Sequence, residues 1–103
     1  MDVGDLGKSF KENGYYTPID ILTVEEAVKT LQNFNSYKER VGIDGKIIGD
    51  YRFKSHLLTK WMWDLIHNQK IVTVVKEALQ TENVLCWNTD FNIKLENSQG
   101  IGY

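Results

Sequence analysis

The chain has 103 residues, so it forms one small domain or part of a larger one, and two independent hydrophobic cores are excluded. Its content of 42% hydrophobic and 12% aromatic residues predicts a folded chain rather than a disordered one. A formal net charge of −2 argues against a nucleic-acid partner, because binding to phosphates needs a concentrated basic surface.

The cysteine content and the apolar runs indicate where in the cell the protein is expected. Cys86 is the one cysteine, which excludes an internal disulfide. The N-terminus has neither a basic region nor a long apolar run, and no stretch approaches the roughly 18 apolar residues of a membrane span. We therefore expect a cytoplasmic location and no membrane partner.

The first two predicted helices have clear end signals. Apolar residues at helical spacing predict a helix over about 2–13, which ends where Gly14 can adopt the left-handed conformation. Thr23 and Glu26 have the spacing of a capping box, in which each side chain binds the backbone N–H of the other residue. A second helix is predicted to follow over about 24–41.

Two further helices are predicted after a glycine-containing loop. Pairs of large apolar residues recur every four positions over about 57–67, which is typical of one helix face. Asn68 can cap a fourth helix over about 69–80, where the good helix formers around Glu77 outweigh a β-branched run.

From Asn83 onwards the apolar period changes to two, which predicts a strand over about 83–95. Its apolar side carries Leu85, Trp87, Phe91, Ile93 and Leu95, and its polar side carries Asn88, Asp90, Asn92 and Lys94. The alternation alone favours a solvated sheet face for the polar side.

Such a strand needs neighbouring strands, and only residues 15–22 could supply one before it. Residues 96–100 read as a turn, and residues 101–103 resemble the start of another strand. We therefore expect an α+β fold that appears incomplete, in which residues 1–103 are the amino-terminal part of one larger β-containing domain.

Two motifs carry a resemblance to a known family. The first is SFKENGY at 9–15, continued by Pro18, Asp20 and an acidic pair at 25–26. The second is NVLCWNTDF at 83–91, followed by Lys94. Together they resemble the phytanoyl-CoA dioxygenase superfamily of non-heme iron, 2-oxoglutarate-dependent enzymes, particularly its chlorinating branch, typified by the syringomycin halogenase.

The resemblance implies a double-stranded β-helix, a jelly-roll or cupin-like fold, after an N-terminal helical layer. In that family two histidines and, in hydroxylases, one carboxylate hold Fe(II), with open positions for 2-oxoglutarate and O2. In halogenases chloride takes the place of the carboxylate. By family spacing the first iron ligand would follow Tyr103, so no metal ligand and no catalytic residue is expected within this chain. His56, His67 and Cys86 also lack the spacing of a zinc site.

The resemblance also implies a set of pocket residues. It places Asp90 and Asn92 in the substrate pocket. It places Arg52 and Lys54 where the family has a basic residue that helps to hold 2-oxoglutarate, and it matches Lys94 to a family lysine. Arg52, Lys94, Asp90 and Asn92 are therefore the candidate substrate or cosubstrate pocket, although surface positions for Arg52 and Lys94 are the alternative.

The expected function is that of the N-terminal portion of an Fe(II)- and 2-oxoglutarate-dependent oxygenase. Such an enzyme hydroxylates or chlorinates an unactivated C–H bond of a small substrate, in some members one tethered to a carrier protein, and both outcomes stay open. The alternative is a non-catalytic small binding or dimerisation module.

Overall fold

The computed structural model describes residues 5–97, and this part of the chain is largely helical. It contains four α-helices: α1 (Leu6–Asn13), α2 (Val24–Val41), α3 (Lys60–Ile66) and α4 (Gln69–Leu79). Two 3₁₀ turns, Gly49–Tyr51 and Ser55–Leu57, connect α2 to α3. After α4 the chain runs to residue 97 without a further helix.

The glycine stop and the capping box predicted from the sequence form the observed end of α1 and the observed start of α2. Gly14 has a φ of 82°, and its backbone N–H closes α1 on the carbonyl of Phe10. At the start of α2, the Thr23 hydroxyl accepts from the Glu26 backbone N–H, and the Glu26 carboxylate accepts from the Thr23 backbone N–H. α2 therefore has the predicted bounds. Residues 2–4 of the first predicted helix lie outside the described residues.

The third predicted helix, over 57–67, begins later than expected. Leu57 lies in a 3₁₀ turn, and α3 begins only at Lys60. Thr59 has an extended backbone, and its N–H and hydroxyl both donate to the carbonyl of Ser55. This local turn competes with helical hydrogen bonds, so the apolar pair at 57–58 remains exposed.

The expected α+β fold with the first strands of a double-stranded β-helix is wrong for this structure. Residues 5–97 contain no sheet, and the predicted strand over 83–95 forms only one isolated bridge, from Asp90 to Phe53. The reason is the lack of a neighbour: the chain beside Asp90 turns immediately into the 3₁₀ turn at Ser55. At this bridge the Lys54 N–H donates to the Thr89 carbonyl, at 2.9 Å. The strand expected at 101–103 lies outside the described residues.

Two contacts hold the helical layer together. α1 packs closely on α4 at Gly7, where a side chain would overlap Gln80 Nε2 and lie 2.8 Å from the Glu77 carbonyl oxygen. On the other side of the molecule, Phe91 inserts among three rings, with centroid distances of 5.4 Å to Phe34, 5.6 Å to Tyr37 and 6.4 Å to Trp61. Phe91 thereby fixes the segment after α4 against α2 and α3.

Within residues 5–97, no helix combines the length and the apolar character needed to span a bilayer.

Candidate functional site

The candidate site forms where residues 52–56 meet residues 87–92. The bridge between Phe53 and Asp90 brings the two stretches together. Lys54 has a φ of 54°, in the left-handed region, and this turn of the backbone directs its N–H to the Thr89 carbonyl and the Asn88 amide oxygen. A left-handed lysine costs about 1–2 kcal/mol, which these contacts offset.

Arg52 is the centre of the polar cluster, which we define as Arg52, Asp90 and Asn92. Its Nε lies 2.6 Å from Asp90 Oδ1, and its Nη2 lies 3.2 Å from Asp90 Oδ2. The same Nη2 donates to Asn92 Oδ1 at 3.0 Å. This is a bidentate guanidinium–carboxylate pair with a third hydrogen bond, an arrangement that fixes both groups in orientation.

The Arg52 side chain is largely covered, whereas Asn92 is exposed to solvent. The Arg52 side chain is 12% exposed and that of Asp90 is 24% exposed, whereas the surface pair Lys60–Asp64 is 85% and 57% exposed. The Arg52 guanidinium also lies 5.0 Å from the centre of the Phe53 ring. The lower exposure of the Arg52 and Asp90 side chains distinguishes this ion pair from an ordinary solvated one.

Thr89 is a second organising residue, next to the polar cluster. Its Oγ1 lies 3.1 Å from Ser55 Oγ, 3.0 Å from His56 Nδ1 and 3.4 Å from the His56 backbone nitrogen. Ser55 and His56 are buried, with 0% and 5% exposure. One hydroxyl therefore serves two buried polar side chains, which would otherwise lack a partner.

Two further contacts position Arg52 and Lys54. The Tyr37 hydroxyl donates to the Tyr51 carbonyl at 2.8 Å and so ties the residue before Arg52 to α2. Burial raises the pKa of Tyr37, and the nearby Tyr51 adds to this effect. The Lys54 ammonium donates to the Trp87 carbonyl at 2.7 Å and lies 4.0 Å above the Trp87 ring.

Three of the four residues predicted from the sequence meet in this site. Arg52 contacts Asp90 across 38 residues and Asn92 across 40 residues of chain. Lys94 is exposed, and within the described part of the chain its side chain makes no hydrogen bond or ion pair with the cluster. Its position is that of a surface lysine.

Sequence reasoning missed Thr89, Ser55 and His56. The signal for Thr89 was present, because it is a hydroxyl residue between Trp87 and Phe91 on the apolar side of the predicted strand. A polar residue on a face that becomes buried needs a hydrogen-bond partner. The partners lie 33 and 34 residues earlier, and no spacing rule connects them to Thr89.

The described residues do not fit an iron centre. No group of three or more histidine, cysteine, aspartate or glutamate residues that could hold a metal occurs in residues 5–97. His56 Nδ1 is bonded to Thr89, and His67 Nδ1 lies 2.7 Å from the Trp63 carbonyl oxygen. In this arrangement 2-oxoglutarate does not fit the polar cluster either, because the Asp90 carboxylate already neutralises Arg52 and would repel a dicarboxylate.

The polar cluster is instead suited to bind a polar group. Asp90 retains acceptor capacity beyond the two bonds from Arg52, and the Asn92 amide carries two N–H donors besides the oxygen that Arg52 occupies. A ligand that offers both a donor and an acceptor could therefore be held in one orientation.

In comparisons with known proteins, no family model matches this chain, and neither the curated proteins nor the solved structures contain a match.

Proposed function

We propose that this chain contributes the substrate side of a non-heme, Fe(II)- and 2-oxoglutarate-dependent oxygenase. In this proposal the enzyme hydroxylates or chlorinates an unactivated C–H bond of a small substrate, free or tethered to a carrier protein. The polar cluster forms part of the substrate pocket. The observation that carries the proposal is the contact of Arg52 with both Asp90 and Asn92.

Arg52 lies far from the other two residues of the polar cluster in the sequence. The resemblance to the oxygenases selects four pocket residues, of which Arg52, Asp90 and Asn92 meet and Lys94 does not. Separations of 38 and 40 residues do not bring side chains together by local geometry. Their meeting in one hydrogen-bonded cluster supports a common pocket over three unrelated surface positions.

Arg52 has an orienting role in this proposal. Its guanidinium holds the Asp90 carboxylate by both oxygens and the Asn92 amide by its oxygen, so neither side chain can rotate freely. A fixed acceptor beside fixed donors can orient a polar substrate group and thereby the C–H bond next to it. Orientation of this kind is a major contribution of the protein in cofactor-dependent oxidation.

The proposed function also requires an iron cofactor and a keto-acid cosubstrate. The enzyme would use Fe(II), 2-oxoglutarate and O2, with chloride if it is a halogenase, and these groups would be held by residues outside those described. We propose a cytoplasmic location and no nucleic-acid or membrane partner.

The test uses the full-length protein without oxygen. Addition of Fe(II) and 2-oxoglutarate should produce a visible metal-to-ligand charge-transfer band, because the keto acid chelates the iron. If a folded preparation shows no band at saturating Fe(II) and 2-oxoglutarate, the oxygenase proposal is wrong.

A second arm tests the role of the polar cluster. Asp90→Asn should keep the band but reduce product formation by about 10–100-fold, since a hydrogen bond to a charged group contributes roughly 1.5–3 kcal/mol. Product is measured by mass spectrometry with a panel of free and carrier-bound aminoacyl substrates. Asp64→Asn, which removes the exposed partner of Lys60, is the matched control and should leave both readouts unchanged. Equal product from Asp90→Asn and the control would remove Asp90 from the pocket.

A further inference from the structure

Ser55, Thr89 and His56 form what we call the hydroxyl network, which joins the two stretches of the site beside the polar cluster. Thr89 Oγ1 lies 3.1 Å from Ser55 Oγ and 3.0 Å from His56 Nδ1. It also accepts from the His56 backbone N–H, at 3.4 Å. Ser55 is fully buried, and within residues 5–97 its hydroxyl has no hydrogen-bond partner other than Thr89. Because water does not reach this hydroxyl, its hydrogen needs Thr89 as the acceptor.

The two side-chain contacts of Thr89 can hold only two hydrogens. In one arrangement Ser55 donates to Thr89, Thr89 donates to His56 Nδ1, and no hydroxyl hydrogen is left over. A proton on Nδ1 would bring a third hydrogen into the same two contacts, and the hydroxyl of Ser55 or Thr89 would then lack an acceptor. A buried donor without an acceptor is costly. The hydroxyl network therefore fixes His56 as the tautomer that carries its proton on Nε2.

The other nitrogen of the His56 ring agrees with this tautomer. Within residues 5–97, every buried side-chain nitrogen and oxygen has a hydrogen-bond partner. His56 Nε2 has no partner in that part of the chain, so this atom reaches water although the residue as a whole is buried. Each hydrogen on the three side chains then has an acceptor, and the hydroxyl network runs in one direction from Ser55 to His56.

The hydroxyl network also bears on the register of the two stretches. The bridge between Phe53 and Asp90 is isolated, so no backbone ladder holds the register there. A shift by two residues would keep the same side chains on each side of the segment, and it would bring Trp87 or Phe91 to the place of Thr89. An indole can only donate hydrogen bonds, and a phenyl ring carries no polar group. Neither ring can accept from a serine and donate to a histidine at once, so a threonine at this place selects the observed register.

The register that Thr89 selects also determines the position of Asp90. Adjacent residues of an extended segment point to opposite sides. While the Thr89 hydroxyl contacts Ser55 and His56, the Asp90 carboxylate can reach Arg52, whose Nε lies 2.6 Å from Oδ1. A shift by two residues would offer the guanidinium a neutral asparagine amide, at 88 or 92, in place of this carboxylate.

We propose that His56, as the Nε2–H tautomer, is a positioning residue for the polar cluster. It accepts from Thr89, Thr89 accepts from Ser55, and this one-way network selects the register in which Asp90 meets Arg52. The importance of His56 for substrate binding rests on the proposed function, whereas the tautomer and the register do not depend on the reaction.

The ring nitrogens of the two histidines test the tautomer, with His67 as an internal control. His67 Nδ1 lies 2.7 Å from the Trp63 carbonyl oxygen, which can only accept, so His67 carries its proton on Nδ1. In a long-range ¹H–¹⁵N correlation spectrum, at a pH where free histidine is neutral, the two rings should therefore show opposite patterns. A proton on Nδ1 of His56 would overturn the proposal.

Solvent exchange of the Arg52 Nε–H tests the positioning role. Thr89→Val keeps the shape of the side chain but removes the hydroxyl, and it should speed this exchange by about tenfold. Thr89→Ser keeps the hydroxyl and should restore slow exchange. Leu6→Ala truncates a buried residue of α1 outside the hydroxyl network and is the control for a general loss of stability. It should leave the exchange of the Arg52 Nε–H slow.

Two substitutions of His56 extend this test to the proposed residue itself. Leucine offers no acceptor to the Thr89 hydroxyl, whereas the asparagine amide oxygen can replace Nδ1 as the acceptor. We expect fast exchange of the Arg52 Nε–H in His56→Leu and slow exchange in His56→Asn, with far-UV circular dichroism as the check on folding. If His56→Leu is unfolded, the isosteric Thr89→Val decides the test.

Equal exchange rates in Thr89→Val and the unaltered chain, or in Thr89→Val and Leu6→Ala, would overturn the positioning role. The charge-transfer band tests the oxygenase proposal separately. A missing band together with the expected exchange rates would refute the oxygenase and leave the positioning role of His56 in place.

Discussion

At the scale of single residues, the site depends on hydroxyl, guanidinium and carboxylate groups that have fixed partners. Thr89 and Arg52 each bind side chains from the other stretch of chain. Because Ser55 and His56 are buried, loss of a partner leaves polar groups that water cannot easily reach.

Thr89→Val tests this role. Valine has the shape of threonine but cannot bond Ser55 or His56, so we expect the free energy of unfolding to fall by about 1–3 kcal/mol. Thr73→Val, at an exposed position of α4, is the control and should change it by less than about 0.5 kcal/mol. Urea unfolding followed by circular dichroism measures both. Similar losses for the two variants would show that the Thr89 hydroxyl does not stabilise the fold.

The sequence predicted part of this site. Alternation placed Asp90 and Asn92 on one side of their segment, and their contacts with one guanidinium agree with that placement. Alternation could not identify Arg52 as their partner, because contacts across 38 residues depend on how the whole chain folds. The family resemblance supplied Arg52, but with a different expected ligand.

At the scale of elements, the sequence predicted helix ends well, because a helix end depends on residues that are close together in the chain. The capping box fixes the start of α2, and a left-handed glycine fixes the end of α1. The sequence could not show which neighbours an element would have. The first half of the α2 apolar stripe stays exposed, with Val24 at 81% and Leu31 at 57%. Likewise, the period of two at 83–95 predicted which side chains share a side of that segment. It could not show whether a neighbouring strand would pair with it.

The capping box predicts a pH dependence of stability. The Thr23 backbone N–H and hydroxyl hold the pKa of Glu26 below its ordinary value of 4.5. A lowered pKa in the folded state means that the stabilisation is present above the ordinary value and is lost as the pH falls through the lowered one.

The comparison of Glu26→Gln with the unaltered chain tests this pH dependence. The difference in the free energy of unfolding should be largest above the ordinary value and should disappear at lower pH. Glu25→Gln, in the same turn but outside the capping box, is the control for charge. Urea unfolding at a series of pH values is the measurement, and a difference that grows as the pH falls would contradict the argument.

At the scale of the whole molecule, several contacts attach the segment after α4 to the rest of the chain, among them the hydrogen bonds of Thr89 with Ser55 and His56. Others are the polar cluster and the insertion of Phe91 among the rings of Phe34, Tyr37 and Trp61. These side-chain contacts supplement the backbone hydrogen bond from Lys54 to Thr89 in joining the two stretches that form the site.

Phe91→Ala should therefore destabilise the fold by about 2–4 kcal/mol, toward the lower end of the range for aromatic truncation because Phe91 is only partly buried. Tyr15→Ala removes an aromatic ring that is 65% exposed and should cost less than about 0.5 kcal/mol. Thermal unfolding measured by calorimetry distinguishes the two variants. If Phe91→Ala unfolds at the same temperature as the unaltered chain, the segment is not anchored through this ring.

Arg52 and Asp90 form one ion pair from two distant stretches of chain. A double-mutant cycle with Arg52→Ala, Asp90→Ala and the double variant measures their coupling in the free energy of unfolding. We expect a coupling of about 1–3 kcal/mol, because the pair is bidentate and largely buried. Additive effects of the two substitutions would contradict the claim, since residues that do not interact show no coupling.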